Sequence, residues 1–425
     1  MNSNGLLLQG GSVFDVSTGT TGEADVLVGA DGLIAAVGKD LTPRPEGDKC
    51  QVLQVDGKTI LPGLINMHDH FPHRFTWGPA LPQMRDLAPP FLVMRGVRAA
   101  MMSLMQGVTT VRWAGDRDNL DLAFRDAIAA KLIPGPRVIA CGTPITTTGG
   151  HAWFIFKNER DGAADMRVAV RERIKGGAEW IKILTTHEPV PETFDGQHCR
   201  AEFTQEEFNT VTETARDWGR PVMAHASGSV GIGRAVAAGV DTIEHGIYLD
   251  RELAARMADK GIGLVPTLSG YFQTASAGSG REPAIREATA ILVEPHRRAI
   301  EAALAEGVAI AVGTDTAGFF FDELELLVKY GADNAEALQA ATIRGAEMLR
   351  MEDRIGSVEQ GKIADLVVVD GDPLVDLRRI EAVELVIQGG IAMRPDEIRV
   401  SAEQETESWN SFGLAGGTGV GVPGK

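Results

Sequence analysis

The sequence predicts an α/β protein: a closed parallel (β/α)8 barrel beside a discontinuous β-sandwich formed by the N- and C-terminal segments. Three observations lead there. Between Leu64 and about Leu349, short apolar runs alternate with helical stretches. On either side of that region the runs are short and punctuated by turn residues, an all-β pattern. With 425 residues, the chain is too long for one small domain and suits one large barrel with an accessory module.

The first sixty residues read as strands at Leu6 to Leu8, Val13 to Val16, Ala24 to Val28, Leu33 to Val37 and Val52 to Val55. Gly10-Gly11, Asp31-Gly32 and Asp56-Gly57 separate them. Eight strands follow: Leu64–His70, Val108–Ala114, Arg137–Cys141, Trp180–Thr185, Val222–Ala226, Thr242–His245, Gly263–Leu268 and Val308–Thr314. Gly107, Gly177, Gly239 and Gly307 precede several of them, as glycines that end helices do. Eight such strands with helices between them suggest a closed parallel barrel. Ala364 to Val369 and Val383 to Ile387 return to β-type runs. The sandwich is therefore assigned to 1–62 and 356–400, and the barrel to 63–355. Residues 401–425, polar and then Gly-rich, are assigned to a flexible tail.

Composition excludes several roles. The formal net charge of -17 disfavours a nucleic-acid partner, which needs a basic face. The cysteines, Cys50, Cys141 and Cys199, are far apart and odd in number, so a disulfide framework is not expected and a reducing compartment fits. No apolar run reaches the ~18 residues of a membrane span. The N-terminus has no basic segment ahead of an apolar core. A cytoplasmic protein with no membrane partner is the expectation.

In such a barrel the reacting groups sit at the C-terminal ends of strands. His68 and His70 close the first strand, and their spacing of two puts both imidazoles on one side, with Asp69 opposite. Lys182 lies within an apolar strand, where a lysine is costly unless paired or chemically altered. A neutral buried lysine can take up carbon dioxide and become a carbamate, an oxygen ligand for two cations. The plain alternative is a lysine that reaches solvent at the strand end. His225 ends strand five, His245 strand six and Asp315 strand eight. Singly, each histidine could be a core or surface residue, and the aspartate a helix cap. Together they form a nitrogen and oxygen donor set that suits divalent cations.

On these residues the chain resembles the amidohydrolase superfamily over nearly its whole length. His68-Asp69-His70 after Leu61-Pro62-Gly63-Leu64 is similar to its strand-one motif, and the other four residues match the ligands of its binuclear-metal subtype. Gly356 to Leu366 is similar to the return into the sandwich, with Asp365 as a structural mark. Thr148-Gly149-Gly150-His151 and Ile243-Glu244-His245-Gly246 resemble the prolidase-like and imidazolonepropionase-related branch.

The resemblance implies a TIM-barrel hydrolase of carbon–nitrogen bonds with two divalent ions, zinc foremost. One ion would be held by His68, His70 and Asp315, the other by His225 and His245, with N6-carboxylysine at Lys182 bridging them. A bridging hydroxide would attack the amide carbonyl, Asp315 would carry the proton to the leaving amine, and His151 would donate to the carbonyl oxygen. The implied substrate is a small-molecule amide of the peptide or N-acyl amino acid type, cut by a dipeptidase-like homo-oligomer. Aryl amides, carbamates, ureas and cyclic amides stay open, as does a one-metal deaminase, although Lys182 argues for two metals. A metal-free scaffold is disfavoured by the complete donor set.

Arg112 and Tyr248 are candidates for a substrate carboxylate, with Arg74 and Arg200 nearby in sequence. Two stretches depart from the branch: Val111 to Gly115, where an Arg-Asp pair is usual, and Thr185-Thr186-His187-Glu188, where a Ser-Gly-Gly turn is common. The apolar residues from Phe71 to Met94, and Phe319 to Phe321, could pack loops together or line an aromatic pocket.

Overall fold

A computed structural model describes residues 5–43, 50–72, 87–187, 199–276, 283–316 and 318–398. The flexible tail assigned to 401–425, Arg74 and most of the aromatic stretch after Phe71 lie outside the described residues. The fold is mixed α/β. Its first strands are β1 (Leu6–Gln9), β2 (Ser12–Asp15), β3 (Thr20–Glu23), β4 (Asp25–Val28), β5 (Ile34–Gly38), β6 (Gln51–Gln54) and β7 (Lys58–Pro62). The central strands are β8 (Leu64–Asp69), β9 (Val108–Trp113), β10 (Arg137–Ala140), β11 (Ile181–Leu184), β12 (Val222–Ala226), β13 (Thr242–His245) and β14 (Gly263–Val265). The last are β15 (Leu366–Asp370), β16 (Val383–Gln388) and β17 (Ile391–Met393).

The central strands form two parallel sheets, β10-β9-β8 and β11-β12-β13-β14. Hydrogen bonds join the sheets on both sides. Glu179 and Trp180 donate their amides to the Ala140 carbonyl, and Ile145 donates to the Lys182 carbonyl. On the other side, segment 308–314 bridges Leu264 at Ile310, and Met67 donates to its Val312 carbonyl. The strand expected at Val308–Thr314 is thus present only as an isolated bridge. Its Thr314 and Asp315 amides both turn to one acceptor, the His68 carbonyl, which ends any regular ladder.

The terminal strands form a four-stranded sheet, β5-β4-β1-β6, and a six-stranded sheet, β17-β16-β15-β7-β2-β3. The second interleaves both chain ends, with β15 antiparallel to β7. One apolar cluster draws Leu6, Leu8 and Val26 from the first sheet and Ile60, Leu366 and Ile387 from the second. β3, β7 and β17 were not expected from the sequence. Thr20–Glu23 is mostly exposed, so it carries no apolar alternation to betray it.

The glycines before the strands do what their positions suggest. Gly107, Gly177, Gly239 and Gly307 all have positive φ, which only glycine adopts without strain. Apolar burial then fixes strand orientation. On the outer face of β11 to β14, Ile181, Ile183, Ala224, Ile243 and Leu264 join Val170, Val211, Ile232 and Ala254 from the covering helices. Strand alternation sends the neighbouring residues to the opposite face, where the polar groups gather.

Candidate metal centre

The first part of the site comes from β8. His68 and His70 hold their rings 5.4 Å apart, as their spacing of two requires. Asp315 reaches both: its Oδ1 lies 3.1 Å from His68 Nε2 and 3.6 Å from His70 Nε2. The ligand atoms of these three residues lie within 4.8 Å of one another, so they could hold a metal ion. Burial alone would raise the Asp315 carboxyl, but His68, His70 and Lys182 hold it below the usual aspartate value.

The second part follows from register. Lys182 pairs with Met223, and His225 with Glu244, so alternation places all four on one face of the sheet. Lys182 is buried, and its Nζ has no hydrogen-bond partner among the described residues. Burial lowers its pKa to about 8. By the same alternation His245, next to Glu244, should face the covering helices. It does not, because its φ of 69° is left-handed. That turn brings its ring to 4.5 Å from His225 and 5.0 Å from His68. Such a backbone costs about 1–3 kcal/mol in a residue other than glycine. Asp315, at φ 61°, carries the same strain. Burial pushes both His225 and His245 well below the usual imidazole range, which keeps them neutral and able to ligate.

A layer of hydrogen bonds aims these rings. His68 Nδ1 lies 2.6 Å from Glu244 Oε2, His70 Nδ1 2.8 Å from the Gly115 carbonyl, and His245 Nδ1 2.7 Å from Thr267 Oγ1. Each leaves Nε2 for the centre. Burial would raise the Glu244 carboxyl, but Arg112 and His68 outweigh it and bring it down to about 2. Here the expectation for Arg112 needs correction. Its guanidinium is wholly buried over the Trp180 ring and donates to the Met67 carbonyl, Thr242 Oγ1 and Glu244 Oε1. Every donor nitrogen is engaged, so it supports Glu244 and does not meet a substrate carboxylate.

At the rim, His151 stacks on His225 with ring centroids 4.2 Å apart. Loss of hydration and then nearby His187 lower its pKa to about 3, so the ring is neutral. Tyr248 is half-buried beside Ile247, Tyr271 and Leu292, and Tyr271 is the ring that contacts His245, at 5.8 Å. Burial raises the Tyr248 hydroxyl, which remains a donor. Arg200 is exposed. Phe71 is buried against Trp113, and Phe320 joins the main core, so these two aromatics serve packing. Among the described residues, the aromatic rings near the centre are instead Phe156, 6.0 Å from His70, and Tyr271. Sequence reasoning also missed Glu244, Thr267, His187 and Glu202. Glu244 lay inside a motif already singled out; Thr267 and Glu202 carry no local signal.

Comparison with known proteins fits this geometry. The amidohydrolase family model matches residues 59–393, most of the chain. The chain belongs to the amidohydrolase family. It is a hydrolase of carbon–nitrogen bonds, in a family that typically binds metal ions. This amidohydrolase is 29% identical over 365 residues to an ochratoxinase of Aspergillus niger, covering 78% of this chain and 75% of the relative. It is 26% identical over 382 residues to an imidazolonepropionase of a Geobacillus species, covering 80% and 82%. Among solved structures, a Xaa-Pro dipeptidase with bound methionine is similar at a TM-score of 0.83 and 30% identity, over 92% of this chain and 100% of that one. These likenesses fit the prolidase-like branch.

Proposed function

We propose that this amidohydrolase cleaves an amide of the peptide or N-acyl amino acid type, using a pair of divalent ions, zinc foremost. The observation that supports the reading is the close grouping of His68, His70 and Asp315, with the His245 ring near both His68 and His225 and the buried Lys182 amine in the field of Asp315. We take the two parallel sheets as parts of one (β/α)8 barrel and the terminal sheets as a sandwich, which places the six at one mouth. The donors suit the ions. His68, His70 and Asp315 would hold one, and His225 and His245 the other. Lys182, with a buried amine that gives up its proton readily, would bridge them as the carbamate. Bound there, the ions supply Lewis acidity and bring proton loss from water into the neutral range.

The chain's own residues do the rest. Asp315 accepts a proton from the attacking water and returns it to the leaving nitrogen as the C–N bond breaks. His151, neutral beside His225, donates an N–H toward the carbonyl oxygen as charge grows there. The dipeptidase likeness supports a peptide-type substrate. Phe156 near His70 supports a second reading, in which the acyl or amine part is aromatic: an aryl amide, carbamate or urea.

The test is a screen of dipeptides, N-acyl amino acids and aryl amides with zinc-loaded protein, alongside metal analysis and Lys182→Ala. Amine release, about two metals per chain and loss of both activity and metal in the variant are expected. A variant that keeps both would overturn the bridging role of Lys182. Release of free ammonia from an amino-heterocycle would point to a deaminase instead.

A further inference from the structure

β13 ends on a turn that few residues other than glycine tolerate. The Gly246 amide donates to the Glu244 carbonyl, two residues back, at 2.9 Å. With φ at 69°, His245 is the centre of a γ-turn of the rare, strained hand. Gly246 also has positive φ, and a Cβ there would lie 2.7 Å from a Leu264 methyl, so the chain bends tightly against β14. This bend turns the His245 ring toward His68 and His225. Relaxed to an extended backbone, the same residue would send its ring to the covering helices, because Glu244 beside it already takes the other face.

Three groups grip His245. Thr267 Oγ1 meets Nδ1 of the ring at 2.7 Å. Tyr271, from the helix Leu268–Ala275, sets its ring across that of His245 at 77°, with centroids 5.8 Å apart. The third group takes the backbone. His296, on the helix Pro283–Ala305, brings Nε2 to 2.9 Å from the His245 carbonyl. A carbonyl can only accept, so Nε2 carries the proton and donates. The same Tyr271 ring stands nearly perpendicular to His296, with centroids 5.4 Å apart. His245, Tyr271 and His296 are all buried, which makes the bond to the carbonyl costly to lose. His296 lies 51 positions beyond His245 and is not one of the six donors.

We infer that His296 is a positioning residue: it holds the His245 carbonyl in the strained turn and so keeps the His245 ring at the His225 half of the metal centre. The inference rests on the proposed pair of ions for its readout, but not for its geometry. Removing the donor has two effects, and one movement answers both. The buried carbonyl loses its partner, and the strain at His245 loses its restraint. A return of φ to the extended region relieves the strain and lets the carbonyl turn, but it takes the ring away from His225.

Three variants of the full chain test this. His296→Leu fills the space without a donor. His296→Gln keeps a donor near the position of Nε2 and is expected to rescue. Ile300→Ala cuts into the main core from the same helix. Competition with a chromogenic chelator gives the two zinc dissociation constants. We expect His296→Leu to weaken one of them about 10- to 100-fold and to leave the other within about threefold. His296→Gln and Ile300→Ala are expected to keep both near the wild-type values. In His225→Ala, which already lacks that half of the centre, adding His296→Leu is expected to shift the remaining constant less than about threefold. Unchanged constants in His296→Leu overturn the role, as does a loss that Ile300→Ala reproduces or that His296→Gln fails to rescue. If His296→Leu does not fold, His296→Asn, whose amide falls short of the carbonyl, takes its place with the same expectation. Crystal structures of wild type and variant judge the turn without reference to ions: His245 is expected to leave the left-handed region in the variant, and an unmoved turn overturns the inference. A wild type that binds fewer than two zinc ions would instead defeat the proposed pair of ions.

Discussion

Glu244 Oε2 and His68 Nδ1 meet at 2.6 Å across 176 residues of sequence, wholly inside the protein. The contact ties the end of β8 to β13 and decides which nitrogen of His68 faces the metal centre. Arg112 pins the other Glu244 oxygen at 2.8 Å, so the charge that sharpens His68 as a donor is itself balanced.

A first prediction follows from that contact. Glu244→Gln keeps the size of the side chain but removes the negative charge behind His68. Zinc affinity is expected to fall about 10- to 100-fold. Competition with a chromogenic chelator measures it. Affinity equal to the wild type would mean that Glu244 serves folding only.

Gly313 supplies a second. A Cβ there would lie 2.4 Å from a Val265 methyl and 2.8 Å from His68 Cβ. Neither neighbour can retreat, since Val265 is a core residue and His68 is held at Nδ1. Gly313→Ala is expected to displace His68 and to cost about 1–3 kcal/mol by overpacking. Its melting temperature and zinc content should both fall. An unchanged melting temperature or full zinc content would count against it.

Much of this was legible in the sequence, for identifiable reasons. Strands β12 and β13 fall where short runs carry a histidine at or beside their last residue, because the outward-facing residues of such a strand must be apolar while its C-terminal end can be polar. His68 and His70 converge because a period of two is a property of any extended chain. Other features depend on contacts that no local pattern encodes. Arg112 reads as an arginine near the end of a strand and a candidate for a substrate carboxylate, yet register turns it inward to Glu244, over a hundred positions away. The left-handed turn at His245 breaks the alternation from which its direction would be read. Glu202 sits at the far end of a stem whose other strand carries His187, so only the fold reveals their pairing.

Asp365 gives a third prediction. Its Oδ2 meets Arg137 NH1 at 2.6 Å, its Oδ1 accepts from the Gly389 amide at 2.7 Å, and its carbonyl accepts from Gly63 at 2.7 Å. One residue thereby connects β10, the turn after β16 and the entry to β8. Asp365→Ala takes the carboxylate from Arg137, which keeps its bond to Thr110 Oγ1, and leaves the Gly389 amide without its acceptor. Because Arg137 is a quarter exposed, the expected loss lies near the lower end for a broken buried pair, about 3 kcal/mol. Denaturant unfolding measures it. Zinc content per folded chain is expected to stay constant, which separates this structural acid from the metal donors.

The pH dependence of stability offers a fourth, from a buried carboxyl that is not one of the metal donors. Glu323 is wholly buried and accepts the Leu268 and Ser269 amides at 2.8 and 2.7 Å. Burial outweighs those two donors and raises its pKa from 4.5 to about 7. The folded protein therefore holds a proton that the unfolded chain has already released between pH about 4.5 and 7. By linkage, this group's contribution to stability is complete below pH about 4.5, declines as pH rises, and is lost above about 7. Asp121, also raised to about 7 by burial, acts in the same direction. Histidines buried in the neutral form act in the opposite one, so the wild-type curve is a composite. The informative quantity is the difference between wild type and Glu323→Gln, in which the side chain cannot ionise. Calorimetry from pH 5 to 8 is expected to show the variant gaining on the wild type as pH rises, with the gain levelling off near pH 7. Two parallel curves would mean that the Glu323 proton is lost at its ordinary pH, with the two amides compensating fully for burial.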